Sequence, residues 1–311
     1  MKLDLTNKIY NDDDAARAHL EAQLWPNGPV CPHCGNKEVT EMHGKAHRKG
    51  AYQCNNSECR QQFSVTIGTV FERSKIGLHK WVLCTHLMAA SKKGMSAKQI
   101  ERMLGVTYKT AWFMMHRIRE AMSPDAVKDT GPLGGEGYTI EADETFVGGK
   151  AKNVHNGKPI PKKHPVLALV ERGGKARAKH VADVTAKTVR NILVTHASRK
   201  STLNTDEAMI YYWLGREFAK HGAVNHSAKE YVSKDGATHT QTAESFFAIL
   251  KRGIMGSFHS VSEQHLQRYV DEFCFRWNTR EALDIDDAAR AAAILKGAKG
   301  KRLTYRRTNA S

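Results

Sequence analysis

Four cysteines and three acids are the residues whose kind and spacing could do chemistry. Cys31 and Cys34, then Cys54 and Cys59, form two close pairs, C-x2-C and C-x4-C, with nineteen residues between them. Thiolates are soft donors, and two such pairs on tight knuckles surround one Zn²⁺ tetrahedrally, the pattern of a zinc ribbon. Pro32 and Gly35 suit the first knuckle, because glycine reaches the positive φ that turns backbone N–H groups toward sulfur. Disulfides are the competing reading, disfavoured because nothing places the chain in an oxidising compartment. His33 could substitute as a ligand, but four cysteines already complete the site. Cys84 and Cys274 sit among apolar neighbours in helical patterns and read as core thiols. The acids are Asp143 within a strand pattern, Asp206 at the end of another, and Glu244 in a helical one. Three carboxylates brought together repel unless a divalent cation neutralises them, and Mg²⁺ takes oxygen ligands of this type. Two such ions about 3.5–4 Å apart promote phosphodiester chemistry. Glu244 and Lys251, seven apart, share a helix face at roughly 10 Å along the axis. Taken singly, an acid at a strand end is more often a turn former than a ligand.

These residues need elements to hold them. Asp12 to Trp25 reads as a helix, acidic at its start, with Ala16, Leu20 and Leu24 at helical spacing and Pro26-Asn27-Gly28-Pro29 as its stop. It is expected to pack on the ribbon. His43 to Gln53 has the polar character of a hairpin, and residues 62–66 alternate as a closing strand. Leu78 to Ala90 carries an apolar stripe of Trp81, Val82, Leu87 and Met88. Ser96 is a plausible N-cap for the helix Ala97 to Leu104, Gly105-Val106 makes a short turn, and Thr107 opens a third helix. That is the helix-turn-helix arrangement. It would aim Thr107, Tyr108, Lys109 and Thr110 at the major groove, with His116, Arg117 and Arg119 farther along; a plain helical bundle is the alternative. Residues 131–137, with Pro132 and four glycines, form a linker. Strand patterns follow at 138–147, 166–170 and 176–184, a helix at 188–198, a strand at 201–206, an aromatic-rich helix with Tyr211, Tyr212 and Trp213, an extended stretch at 223–226, and a helix at 240–251. Three strands in meander order, a helix and a further strand suggest a mixed α/β sheet with carboxylates near strand ends. Tyr269, Phe273 and Trp277 read as a core stripe.

The chain of 311 residues carries 48 Lys and Arg against 32 Asp and Glu, a formal net charge of +16. With 41% hydrophobic and 26% charged residues it can bury a sizeable core. The positive charge clusters at Lys150, Lys152, Lys158, Lys162 and Lys163, and again at Lys296, Lys299, Lys301, Arg302, Arg306 and Arg307. Such clusters imply salt-dependent binding to a polyanion. No apolar run is long enough for a membrane span and no secretory signal opens the chain, so a cytosolic location is expected.

Several stretches resemble one family closely. They are Trp25-Pro26-Asn27-Gly28-Pro29-Val30-Cys31-Pro32-His33-Cys34-Gly35, Glu141-Ala142-Asp143-Glu144-Thr145-Phe146-Val147-Gly148-Gly149, Asn225-His226-Ser227 with Glu230-Tyr231-Val232, the run from His239 to Ser262, and residues 267–278. They are similar to the ISXO2-like (IS1595) insertion-sequence transposases, and cover the chain from about residue 10 to 280. The resemblance implies an α/β protein: an RNase H-like mixed-sheet DDE catalytic domain preceded by a small zinc ribbon and a helical helix-turn-helix domain. The expected divisions are 1–72, an N-terminal helix and ribbon; 73–130, the helix-turn-helix region; 131–285, the catalytic domain; and 286–311, a basic tail. The family's acidic triad with its following basic residue carries over as Asp143, Asp206, Glu244 and Lys251. The three acids would hold two Mg²⁺ ions, and Cys31, Cys34, Cys54 and Cys59 a structural Zn²⁺. Water would first attack a phosphodiester at an element end, and the freed 3′-hydroxyl would then attack target DNA. Thr107, Tyr108, Lys109, Arg117 and Arg252 are the expected contacts to double-stranded DNA, namely the terminal inverted repeats and the target. Pairing two ends implies at least a dimer, and the location implied is the cytoplasm at the nucleoid. Gln241 departs from the family's expected Asn after His239-Thr240, a change that could shift a hydrogen bond without removing a metal ligand. Two competing activities are a nuclease of the same fold without strand transfer and a transposon-derived DNA-binding regulator.

Overall fold

Asp12 starts the first helix by accepting a hydrogen bond from the Ala15 N–H, which satisfies one of the donors a helix start leaves open. The computed structural model describes residues 4–149, 162–228, 230–234 and 236–304. Of the basic clusters, Lys150, Lys152, Lys158, Arg306 and Arg307 therefore lie outside the described residues. Two units are formed, Met1–Asp129 with Ile285–Ser311, and Thr130–Asp284.

In the first unit, helix α1 (Asp13–Leu24) is followed by an antiparallel sheet of β1 (Val39–Met42), β2 (Ala51–Cys54) and β3 (Gln62–Phe63) in that order. Cys31, Tyr52, Cys54 and Phe63 make the small core of this ribbon. Helix α1 lies on the ribbon as expected, through polar side chains: Asp14 pairs with Lys49 at 2.5 Å, and Arg17 and Glu21 pack against Gly50 of the hairpin. Ala16 of the helix joins Tyr10 and Val82 in a cluster with α2 (Leu78–Ala90). Trp25, just past the helix, adds an apolar contact to the ribbon: its ring stands edge-on to Tyr52 and Phe63 at 5.4 and 5.9 Å. Helix α3 (Ala97–Leu104) is capped by Ser96 and ends at Gly105, whose φ of +58° is the left-handed cap glycine favours. Thr107 then caps α4 (Tyr108–Glu120). The segment expected as a basic tail opens as a helix, numbered last below, that belongs to this unit.

The second unit is built on a five-stranded sheet. Strands β4 (Thr139–Val147), β5 (His164–Glu171) and β6 (Ala176–His180) form an antiparallel meander, and β7 (Thr202–Asp206) and β8 (Lys220–Val224) add parallel to β4 on its other side. The resulting order, β6-β5-β4-β7-β8, is the RNase H-like arrangement. Alternation sorts the side chains. Val166, Ala168 and Val170 of β5 meet α7 (Gln241–Gly253) and α8 (Glu263–Asn278) on one face. Leu167 and Leu169 meet α5 (Ala186–His196) and α6 (Met209–Leu214) on the other. A sheet covered on both faces by helices explains why β5 reads as a continuous apolar run. Tyr269 and Phe273 of α8 are buried, as their spacing implies. Helix α9 (Asp287–Gly297), capped by Asp286, returns to the first unit, where Arg290 donates to the Ala89 carbonyl at the end of α2 at 2.9 Å. Among the described residues, no helix is long and apolar enough to cross a membrane.

Candidate active site and metal-binding positions

Strand register brings the first two acids level. Glu141 of β4 pairs with Asn204 of β7 in the parallel ladder, so two residues on Asp143 stands beside Asp206. Period-2 alternation gives Asp143 the face of Glu141, and Asp206 the face of Asn204. That face is the one α7 covers: Asn204 donates to the carbonyls of Ala237 and His239, just ahead of the helix.

A buried anchor delivers the third acid. Glu141 is fully buried, and its carboxylate accepts the Thr242 and Ala243 backbone N–H groups at 2.7 and 3.0 Å, together with the Thr242 hydroxyl. A carboxylate at a helix N-terminus is favoured by both the open donors and the dipole. Arg172 offsets its charge at 2.6 Å and reaches on to the Ala237 and His239 carbonyls, while His239 Nδ1 lies 3.2 Å away. Pinning the first turn of α7 to β4 two residues before Asp143 sets Glu244 over the same part of the sheet. The charges of Glu144, Asp206 and Glu244 all act on Asp143.

The electrostatic consequence is large. Burial chiefly, and then those three neighbouring carboxylates, raise Asp143 to about 7, although the Glu144 N–H bonded to its Oδ1 at 2.7 Å opposes the rise. Glu144 points to the opposite face, where the buried Tyr211 hydroxyl donates to it at 2.6 Å; burial and the Asp206 charge raise it as well. Asp206 accepts the Ala208 N–H at 3.1 Å where α6 begins. Glu244 is half-exposed, with His226 Nε2 at 4.0 Å. The acids do not gather within a mutual 4.8 Å, as the thiols do among the described residues; they form an open, wettable carboxylate cluster. Hard oxygen donors at partial exposure suit Mg²⁺, which keeps several of its waters.

Lys251 is exposed on α7 and lines a cavity of about 840 Å³ with Lys162, Lys163, His164 and His259. Arg252, expected on DNA, is exposed and donates its Nε to the Ala248 carbonyl of its own helix. Gln241 is the exposed first residue of α7. Glu141, Arg172 and Tyr211 were given no role from sequence. The one available signal was an acid, Glu141, set between apolar residues in a strand pattern, which must be paired if buried.

The ribbon cysteines converge. Cys31 and Cys59 sulfurs are 3.8 Å apart, and those of Cys34 and Cys54 3.5 Å. A tetrahedron with Zn–S bonds of about 2.3 Å has edges of about 3.8 Å. All four thiols are free, as are buried Cys84 and Cys274. The donor set and its spacing fit zinc.

Helices α3 and α4 follow one another through the short turn at Gly105–Val106, but one expected contact needs correcting. Arg117 is buried: it donates to the Glu72 and Leu303 carbonyls at 3.0 and 3.1 Å, and its guanidinium lies 4.8 Å from the Phe113 ring. A side chain so engaged braces the unit and does not reach a groove; Arg119 and His116 are buried too. Thr107 spends its hydroxyl on the Thr110 N–H and hydroxyl. Tyr108 is exposed, and Lys109 lines a shallow cleft with Arg73 and Lys75.

Comparison with known proteins completes the picture. The family model described as an ISXO2-like transposase domain matches residues 132–278, and that described as a transposase zinc-ribbon domain matches residues 11–62. A protein of transposable element ISH50 from Halobacterium salinarum, described as uncharacterized, is 28% identical, covering 83% of this chain and 89% of its own. A Mos1 transposase paired-end complex with left transposon end covers 70% of this chain and 75% of its own at 12% identity, with a TM-score of 0.27, too slight a likeness to bear on the fold. Two domain matches in the expected order, spanning well over half the residues together, place the chain in the ISXO2-like (IS1595) transposase family.

Proposed function

We propose that this transposase cuts DNA at the ends of its insertion element and transfers the freed 3′-hydroxyl to target DNA, with Asp143, Asp206 and Glu244 holding magnesium. The observation that carries this reading is the register of β4 against β7 beneath the start of α7, which puts mutually repelling acids from three separated segments within electrostatic reach. Structural carboxylates are normally paired with cations; here burial and the neighbouring carboxylates raise Asp143 to about 7 instead, which is typical of functional sites. Bound magnesium would supply charge stabilisation to the attacking and leaving oxygens of the phosphodiester. The chain's own residues do the rest. Glu141 and Arg172 hold α7, and through it Glu244, against the sheet. The Glu144 N–H orients the Asp143 carboxylate. Lys251, with Lys162 and Lys163 across the cavity, offers point charges to DNA phosphates near the reacting bond. The attacking oxygens belong to water and to DNA, so a protein nucleophile has no part. The ribbon and the exposed start of α4, with Tyr108 and Lys109, locate the terminal repeats, and the protein acts as a dimer or larger assembly on DNA.

The test is a cleavage and joining assay on labelled element ends with a target plasmid. Wild type gives Mg²⁺-dependent nicking and joined product. Asp143→Asn, Asp206→Asn and Glu244→Gln each lose cleavage by on the order of 10³-fold while still binding the ends, because each removes several kcal/mol of charge stabilisation from the transition state. Nicking without joined product from pre-cut ends identifies a nuclease, and binding with no Mg²⁺-dependent nicking a regulator. Either result overturns the proposal.

A further inference from the structure

A second group of metal-binding side chains lies away from the acids. His164 at the start of β5, His180 at the end of β6 and Glu263 in the first turn of α8 place one ligand atom each within 4.8 Å of the others. Register explains why they meet. Val166 pairs with His180 across β5 and β6, so His164, two residues earlier, points to the same face as His180. That face is the one α8 covers, and the His180 N–H is held by Gln267 Oε1, one turn beyond Glu263, at 2.8 Å.

The nitrogens of this group are otherwise unexplained. His164 Nδ1 and His180 Nε2 are both buried at the atomic level and neither has a hydrogen-bond partner. Glu263 Oε1 lies 3.5 Å from His164 Nδ1 but forms no hydrogen bond with it. Leaving a buried polar atom unsatisfied costs about 1–3 kcal/mol, and two such atoms converging on one carboxylate are an unusual arrangement for a purely structural corner. Lys162 Nζ also stands 3.5 Å from Glu263 Oε1, but both groups are exposed and such a pair is weak enough to be displaced.

We infer that His164, His180 and Glu263 bind a divalent transition metal of the zinc class, separate from the ribbon and from the acidic cluster. Two imidazoles and one carboxylate suit zinc and exclude magnesium, which prefers oxygen throughout. Three protein ligands leave a coordination position for water or an anion. The bound ion would tie the edge strand β6 and the start of β5 to the first turn of α8. His164 also lines the cavity that holds Lys251, so the same ion would add positive charge to that wall.

Full-length protein saturated with zinc, then dialysed into zinc-free buffer containing Mg²⁺, tests this by elemental zinc content and by zinc titration. Wild type should retain one more zinc per chain than His180→Gln or Glu263→Gln. The affinity for that zinc should fall at least about 100-fold in either variant, since loss of an outer-shell partner alone costs 10–100-fold. Glu263→Gln alters a half-exposed side chain and keeps the fold, which circular dichroism checks, so it remains informative should His180→Gln unfold. Equal zinc content and equal titrations in wild type and the folded Glu263→Gln variant would overturn the inference.

Discussion

Single residues carry unequal weight, and Asp143 shows it best. Its folded-state proton affinity is raised from the ordinary carboxyl value of 3.8 to about 7, so ionisation opposes folding. At pH below 3.8 the group is neutral folded and unfolded, and no penalty exists. As pH climbs from 3.8 to 7 the unfolded chain loses its proton first, and the penalty grows to its full size above 7. Asp143→Asn should therefore stabilise the metal-free protein at pH 8 by about 1–2 kcal/mol, allowing for partial solvent screening, or about 3–6 °C in Tm. Mg²⁺ should raise the wild-type Tm and leave the variant unchanged; scanning calorimetry at pH 4 and pH 8, with and without the ion, reads both effects. Arg117 carries weight of another kind. Its two carbonyl partners and its stacking on Phe113 make Arg117→Ala a stability mutation, costing about 2–3 kcal/mol in denaturant melts, while DNA sequence preference stays the same. From sequence it read as a groove contact because helix periodicity places it, but cannot tell which face of α4 a neighbouring segment will cover.

Among the elements, α7 depends on one interaction that no local pattern announces. Glu141 to Thr242 and Ala243 joins residues about a hundred positions apart. Glu141→Gln keeps the shape but loses the charge that Arg172 and the helix start require. It should cost about 2–3 kcal/mol of stability and lower cleavage through a displaced Glu244, with little change in DNA affinity. Urea unfolding beside a cleavage-against-binding comparison checks it. Local elements were otherwise legible. The caps at Asp12, Ser96 and Thr107, the apolar run of β5 and the alternation around Asp143 are written in short-range residue types. The extent of β6, which stops at His180, was not legible, because the strand ends where its neighbour β5 begins. Nor was the packing of α1 on α2 as well as on the ribbon, because Ala16 and Leu20 fit any apolar surface. The triad itself was suggested by residue type and resemblance, whereas its convergence rests on β4–β7 register, a long-range property.

For the whole molecule, two quantities matter, metal and charge. The ribbon core of Cys31, Tyr52, Cys54 and Phe63 is too small to order residues 31–63 without its zinc. A strong chelator should abolish amide-exchange protection in β1 and β2 and leave the protection of β4 and β5 intact. A net charge of +16 predicts that the logarithm of DNA affinity falls linearly with that of salt, with a slope of about −0.9 per phosphate neutralised. Filter binding across a salt series measures it. The return of α9 to the first unit has a topological consequence. The stretch Thr130–Asp284 is an insertion spliced into the interior of another fold, entered at one seam and left at a second. A protease nicking either seam alone would sever the backbone yet liberate nothing, since α9 would stay lodged against α2; only a double cut would free the inserted body. A stop codon at residue 285 would leave that body whole and strip the other of its closing helix.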